Sequence, residues 1–229
     1  QDDTGAEVLV SGQTAVSVDV SEKLADALPV YLALVVGLAF ILLILVFRSL
    51  LVPLSAVVGF LLTIGVALGA TVAVFQWGWL SGLFGVDTPG PIISILPLLM
   101  VGILFGLAMD YQVFLVSRMR EEYVHTGDAG TSVVTGFSHS ARVVTAAAII
   151  LISVFGSFII SPMAMIKPIG FGLACGILAD AFLVRMTLIP AFMAIAGKSA
   201  WWLPAWLDRL IPNLDIEGDQ LTKRLERTP

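Results

Sequence analysis

Asp110 sits where a carboxylate is costly. It follows 18 uncharged residues counted from Ile92 and precedes seven more before Arg118. A helix of that composition places it well inside hydrocarbon, where a carboxylate costs about 2.5–3.5 kcal/mol on insertion scales. A carboxylate kept at that cost is a candidate for taking up and releasing protons. Tyr111, next in the chain, offers a hydroxyl that can donate to the carboxylate or relay a proton. The alternative is a structural carboxylate held by hydrogen bonds from neighbouring helices, but an ionisable group within a membrane is read as functional first. Gly102, Gly106 and Asp110 recur every four residues and share one broad helix face. Small residues there let a neighbouring backbone approach the carboxylate. Gly65/Gly69 and Gly172/Gly176 repeat the spacing, so helix packing alone also accounts for it.

Asp180 is a second acidic residue at depth, on one face with Gly172 and Gly176. Two readings stay open for it: a structural bond to a neighbouring helix, or a second proton-linked role. Arg185 lies five residues on, about 140° around an α-helix, so the two are expected to meet different neighbours. Arg185 is nearer the cytoplasmic end, where it can snorkel, and a structural role is expected of it. Cys175, the single cysteine, excludes an internal disulfide and reads as a small packing residue. His125 and His139 lie far from any cysteine and read as solvated, which leaves no metal site. Tyr31 and Tyr123 read as interfacial residues.

The elements that must position these residues are membrane spans. Of 229 residues 58% are hydrophobic and 13% charged, too apolar for a soluble domain of this size and unlike a disordered chain or a nucleic-acid binder. Five stretches reach the roughly 20 residues a helix needs to cross a bilayer: Pro29–Phe47, Val52–Phe75, Ile92–Ser117, Val143–Ile166 and Ile169–Ala196. The fold class is an all-α membrane protein, a five-helix transmembrane bundle over 29–197.

Lys and Arg in the connections set the orientation. Arg48, Arg118, Arg120, Arg142, Lys198, Arg209, Lys223, Arg224 and Arg227 fall at one end, and only Lys23 and Lys167 at the other. The nine mark the cytoplasm, with the N-terminus outside and the C-terminus inside. All five tryptophans, Trp77, Trp79, Trp201, Trp202 and Trp206, fall just past span ends, as an aromatic belt requires. Residues 1–28 are polar and acidic: Glu7-Val-Leu-Val10 reads as a strand, the trailing edge of an external domain, and a lead-in helix starts at Ser21-Glu22. The chain is expected to be part of a longer protein. Gly127-Asp128 reads as a turn and N-cap before a short helix over about 129–140. Residues 198–229 read as an amphipathic helix in the inner interface, from Trp201 to Ile211, followed by a tail.

Four segments carry a family resemblance. Gly106-Leu-Ala-Met-Asp-Tyr-Gln-Val-Phe-Leu-Val-Ser-Arg-Met-Arg-Glu121 resembles a span signature of MMPL transporters, the "mycobacterial membrane protein large" group of the resistance–nodulation–division superfamily. Phe47-Arg-Ser-Leu-Leu-Val-Pro53, Ser140-Ala-Arg-Val-Val144 and Asp180-Ala-Phe-Leu-Val-Arg-Met186 are similar to three more, in family order and spacing. The resemblance runs from about residue 5 to 215. It implies spans eight to twelve of a duplicated transporter whose halves each carry an external porter domain. It also implies that Asp110 and Tyr111 form a proton relay with an Asp-Tyr pair in the first half. The family's acidic residue outside the fourth span has no counterpart near Ser161-Pro-Met-Ala.

The expected function is therefore that of a proton-driven exporter of lipids or other hydrophobic molecules in the bacterial cytoplasmic membrane, not an enzyme. Protons are the coupling ion and no other cofactor is expected. The expected partners are the lipid or hydrophobic cargo, the first half of the same transporter and membrane lipids, with no nucleic acid. Homo-oligomerisation is left open. An intramembrane aspartyl protease is the rival, because two buried carboxylates on different helices can share a proton; against it, Asp180 follows Gly176-Ile-Leu-Ala rather than Gly-x-Gly. A sterol-sensing-type regulatory membrane domain is the third reading.

Overall fold

The structure, a computed structural model, describes residues 12–86 and 88–210. The strand expected at Glu7–Val10 and the tail expected from 213 lie outside the described residues. Five helices are long and apolar enough to cross a membrane: Thr14–Phe47, Leu51–Gln76, Leu96–Thr126, Ser140–Ile160 and Lys167–Trp201, here spans one to five. No strand occurs among the described residues.

Span one is helix α1, Gln13–Phe47, which begins eight residues before the expected Ser21 and runs through Pro29. It ends at Arg48, whose left-handed φ of 48° stops the helix. Ser49, fully buried, then organises the turn: its Oγ accepts from the N–H of Leu51 and Val52 and donates to the Ala200 carbonyl at 2.5 Å. Leu50 N–H donates to the Trp202 carbonyl, and Arg48 Nη2 meets Asp208 Oδ1 at 2.6 Å. The Phe47–Pro53 motif thus fastens the C-terminal segment to the start of α2, Leu51–Thr71. Span two closes with a π-helical stretch, Val72–Gln76, and is followed by the short α3, Ser81–Phe84.

Span three is α4, Leu96–Thr126; residues 92–95 lie outside the helix, because Pro97 has no N–H to give and its ring clashes with an α-helical carbonyl four residues back, at Ile93, so it fits only in the first turn. The helix expected over 129–140 and the fourth span are one helix, α5, Ala129–Ser157, with Asp128 as the expected N-cap: its Oδ2 accepts from Thr131 N–H at 3.0 Å. Nothing between 129 and 157 breaks a helix, so the polar start and the apolar span run on without interruption. Span four ends near Ile160, short of Ile166, at the Ser161-Pro162 extended break. Span five is α6, Lys167–Leu178, then a π-helix over Ala179–Leu188, then α7, Ile189–Ala196.

After Gly197 (φ 55°) the chain forms a 3-10 turn to Trp201, is extended at Trp202, and makes only the short α8, Ala205–Leu210. The continuous amphipathic helix expected from Trp201 does not form, because Pro204 holds Leu203 out of the helical region. Trp201 is no belt residue either. It is buried, stacked on Tyr123 at 5.5 Å with Arg120 5.1 Å above its ring. Trp77, Trp79, Trp202 and Trp206 are exposed at span ends, as expected.

Span three touches all four other spans. One buried cluster, at the arginine-rich end, joins Leu43, Val52, Val116, Met119 and Met193; a second, at mid-depth, joins Phe60, Met100, Leu104, Val144 and Leu173. The outer surface carries Leu38, Ile41, Val58, Ile150 and Val154, an apolar coat suited to hydrocarbon.

Candidate functional site

The turn of α4 that carries Asp110 has two opposite faces. Ala108, Gln112 and Leu115 point inward and are buried; Asp110 and Gly106 point outward and are exposed. At 100° per residue Asp110 lies about 200° from Ala108, so both placements follow from the helix itself. Leu99, Ile103, Gly106 and Asp110 form one outward stripe at spacings of three and four residues. Asp110 makes no hydrogen bond or ion pair among the described residues. Tyr111 is half-buried at the edge between the two faces.

The glycines behave differently from one another. A Cβ on Gly102 would lie 2.8 Å from Tyr31 Oη, so Gly102 admits the tyrosine hydroxyl of span one, and Tyr31 packs partly buried against the bundle. A Cβ on Gly106 would meet nothing within 4 Å, so within this chain no helix approaches there. The closest approaches are made instead by Gly172, against Met100 and Thr71, and Gly176, against Leu104 and Ala67.

Asp180 and Arg185 meet each other, contrary to the α-helical expectation. Arg185 Nε donates to Asp180 Oδ2 at 2.6 Å and Nη2 reaches Oδ1 at 3.3 Å. The cause is the π-helix over Ala179–Leu188: its hydrogen bonds run from residue i to i+5, so residues five apart come close to a full turn apart. Ile189 N–H donating to the Val184 carbonyl is one such bond. Pro190 sits just beyond this segment, has no N–H, and its ring does not fit against the carbonyl four residues back in an α-turn. Arg185 does not snorkel; it is 3% exposed and Asp180 6%.

The pair reaches both neighbouring spans. Thr63 Oγ1, fully buried on span two, lies 3.3 Å from Asp180 Oδ1 and 3.0 Å from the Gly59 carbonyl, either of which its proton can serve. Arg185 Nη2 donates to the Ala108 carbonyl, Nη1 to Gln112 Oε1 at 3.5 Å, and its Cζ stands 5.8 Å from the centre of the Tyr111 ring. Gln112 Nε2 is a buried donor without a partner among the described residues. The structure therefore brings Tyr111, Asp180 and Arg185 together, while Asp110 faces away. A proton shared between Asp110 and Asp180, as a protease would need, does not fit this arrangement. Gln112 and Thr63 are site residues that the reading of charges passed over; a Gln two positions after the intramembrane Asp was the available signal.

Elsewhere Cys175 is half-buried beside Phe75 and Phe171, as a packing residue should be, and His125 is exposed. The side chain of His139 lies outside those described.

A family model for the MMPL family matches residues 1–212. The chain is 56% identical over 225 residues to the membrane protein YdfJ of Bacillus subtilis, covering 98% of this chain and 31% of the relative. It is 37% identical over 212 residues to the mycolic acid-containing lipids exporter MmpL11 of Mycolicibacterium smegmatis, covering 93% of this chain and 22% of that protein. It is 34% identical over 223 residues to the trehalose monomycolate exporter MmpL3 of the same organism, covering 97% and 22%. The chain thus spans less than a third of the length of these curated relatives. With its five spans and an Asp-Tyr pair inside the third, the chain belongs to the MMPL family of multi-pass membrane proteins.

Proposed function

We propose that this chain is the C-terminal transmembrane part of a proton-driven exporter of lipids or other hydrophobic molecules in the bacterial cytoplasmic membrane. The observation that carries the reading is Asp110: a carboxylate inside a spanning helix, on an outward stripe with Gly106 and beside Tyr111. The relatives MmpL3, a trehalose monomycolate exporter, and MmpL11, an exporter of mycolic acid-containing lipids, support the lipid class of cargo.

In this reading Asp110 accepts a proton from the outer side and releases it inward, and the adjacent Tyr111 hydroxyl, which does not bond to it among the described residues, becomes its hydrogen-bond partner in the full-length transporter. Entry of each proton down the potential supplies about 2.3 kcal/mol per 100 mV. Protonation removes a charge from the stripe, which changes how tightly that face holds the rest of the transporter. Asp180 acts through Arg185 rather than as a second proton carrier. The test is transport by the full-length protein in proteoliposomes under an imposed proton gradient, with a fluorescent acyl lipid as reporter. Gradient-dependent transfer that Asp110→Asn abolishes is the expected result. Full transfer by Asp110→Asn ends the proton-carrier reading and leaves a structural carboxylate or a sensor domain.

A further inference from the structure

The segment that follows span five is bound to two elements at once, and Trp201 stands between them. The carbonyls of the residues on either side of it both go to the turn between spans one and two. The Ala200 carbonyl accepts from Ser49 Oγ at 2.5 Å, and the Trp202 carbonyl from the Leu50 N–H at 3.4 Å. The Trp201 ring lies instead on span three, stacked on Tyr123 at 5.5 Å and 21°, with Arg120 5.1 Å from the ring centre. We propose that residues 200–202 are a conformational clasp: they lock the arginine-rich end of span three to the turn between spans one and two, so that the two move as one body during transport. It rests on the proton-driven reading only in taking span three as the helix that moves.

Three features favour a clasp over the ordinary tucking-in of a chain end. Direct packing between these elements is apolar here, with Leu43, Phe47 and Val52 in one cluster with Val116 and Met119. Apolar burial is non-directional, and packed helices can shear on one another. Hydrogen bonds and a ring stack have set geometries, so they fix the register that apolar faces leave free. Ser49 and Ala200 are both buried, so release strands an unpaired carbonyl away from water. The second feature is Arg48, whose left-handed φ of 48° persists in a residue other than glycine only where the surroundings hold it. Arg48, Ser49 and Leu50 each bind the C-terminal segment, Arg48 through Asp208. Third, Trp202 and Trp206 stay exposed, so anchoring at the interface does not call for Trp201. Helix α4 runs unbroken from Leu96 to Thr126, so a displacement at Asp110 is carried to Arg120 and Tyr123 and, through the clasp, to the turn.

The test uses the full-length transporter, its other cysteines replaced, with spin labels on Leu54→Cys and His125→Cys, both exposed positions. Pulsed electron–electron resonance measures the distance between the labels in acidic and in alkaline buffer. The fluorescent acyl-lipid assay measures transport at matched membrane level. With the clasp intact, one narrow distance is expected in both buffers. Trp201→Leu fills the space but has no ring to stack, so the distance should broaden or shift with pH and transport should be lost. Trp201→Phe restores a stacking ring and should restore both. Ser49→Ala removes the anchor on the other side and should behave as Trp201→Leu does; it carries the test if Trp201→Leu reaches the membrane poorly. A distance that shifts with pH while the clasp is intact overturns the proposal, because the two ends then move apart. Wild-type transport by Trp201→Leu and Ser49→Ala overturns it too. So does an unchanged narrow distance in both variants, since any loss of transport then has another cause. Asp110→Asn, assayed alongside, separates the two readings: an active Asp110→Asn ends the relay reading, while the distances still decide the clasp.

Discussion

Asn in place of Asp110 keeps the size and the hydrogen-bonding capacity and removes only the ionisable proton on which the proposed function depends. Asp110→Asn is therefore expected to abolish gradient-driven export while membrane level persists. Tyr111→Phe deletes one hydroxyl, whose bond is worth about 0.5–1.5 kcal/mol net, and should lower export without ending it. Matched-level transport assays on both variants check this. The two acidic residues should also part company in stability. Asp180→Leu leaves Arg185 buried without its carboxylate, a loss of about 3–5 kcal/mol, whereas Asp110→Leu acts at an exposed position that makes no ion pair among the described residues. Thermal unfolding of the full-length protein in detergent should show a lowered midpoint for the first and not for the second. Asp110 and Tyr111 were legible in the sequence, because a lone carboxylate in 26 residues from Ile92 to Ser117 stands out by composition alone. The Asp180–Arg185 pair was not legible. Its spacing points two ways, and only the π-helix, set by tertiary packing and helped by Pro190, makes five residues amount to nearly one turn.

Helix contacts sort the glycines into those that admit a neighbour and those that do not. A Cβ on Gly136 would lie 2.8 Å from the Met119 main chain, which cannot turn aside, so Gly136→Ala should force α4 and α5 apart at a cost of about 1–3 kcal/mol. Gly65 has nothing within 4 Å of its Cβ position, and Gly65→Ala should be neutral or slightly stabilising. Detergent thermal midpoints of the two variants make the comparison. The start of α5 has its own acid dependence. The Thr131 hydroxyl first, and then its N–H, hold the Asp128 carboxyl below the usual carboxylate range. A carboxyl lowered in the folded state contributes its stabilisation above its unfolded pKa and loses it as pH falls through the folded value. Amides 129–133, corrected for intrinsic exchange, should thus stay protected at neutral pH and lose protection only under strong acid, and Asp128→Asn should remove that dependence. Span number and approximate bounds were legible because twenty-residue apolar runs have few other homes. The fusion of residues 129–140 with span four was not, since a change from polar to apolar composition does not by itself interrupt a helix. The burial of Trp201 was hidden as well, because the Arg48–Ser49 turn that draws the C-terminal segment inward lies some 150 residues earlier and was read only as a motif.

Most of this bundle's outer surface suits lipid, but the stripe of Leu99, Ile103, Gly106 and Asp110 does not. Leu99 and Ile103 are 41% and 38% exposed, as a lipid-facing pair would be, yet Asp110 in the same row would hold a carboxylate against acyl chains. Such residues face a bundle interior or a water-filled cavity in membrane proteins. The curated relatives are more than three times as long as this chain, which leaves ample chain to supply a facing surface. No sequence reading of these residues alone could specify that surface. The stripe is expected to be the seam with the rest of the transporter, with Gly106 as its point of closest approach. Gly106→Leu puts a large side chain on that seam without touching anything within this bundle, since no atom lies within 4 Å of the Cβ position. In the full-length protein it should leave membrane level intact and cut gradient-driven export about tenfold or more, the scale on which small displacements of a reacting centre act. A cysteine at Ile103 should in parallel form a cross-link to the rest of the transporter through a short bifunctional reagent. If Gly106→Leu exports normally and Ile103→Cys gives no cross-link, the stripe faces lipid, and Asp110 must find its proton path without a docked partner.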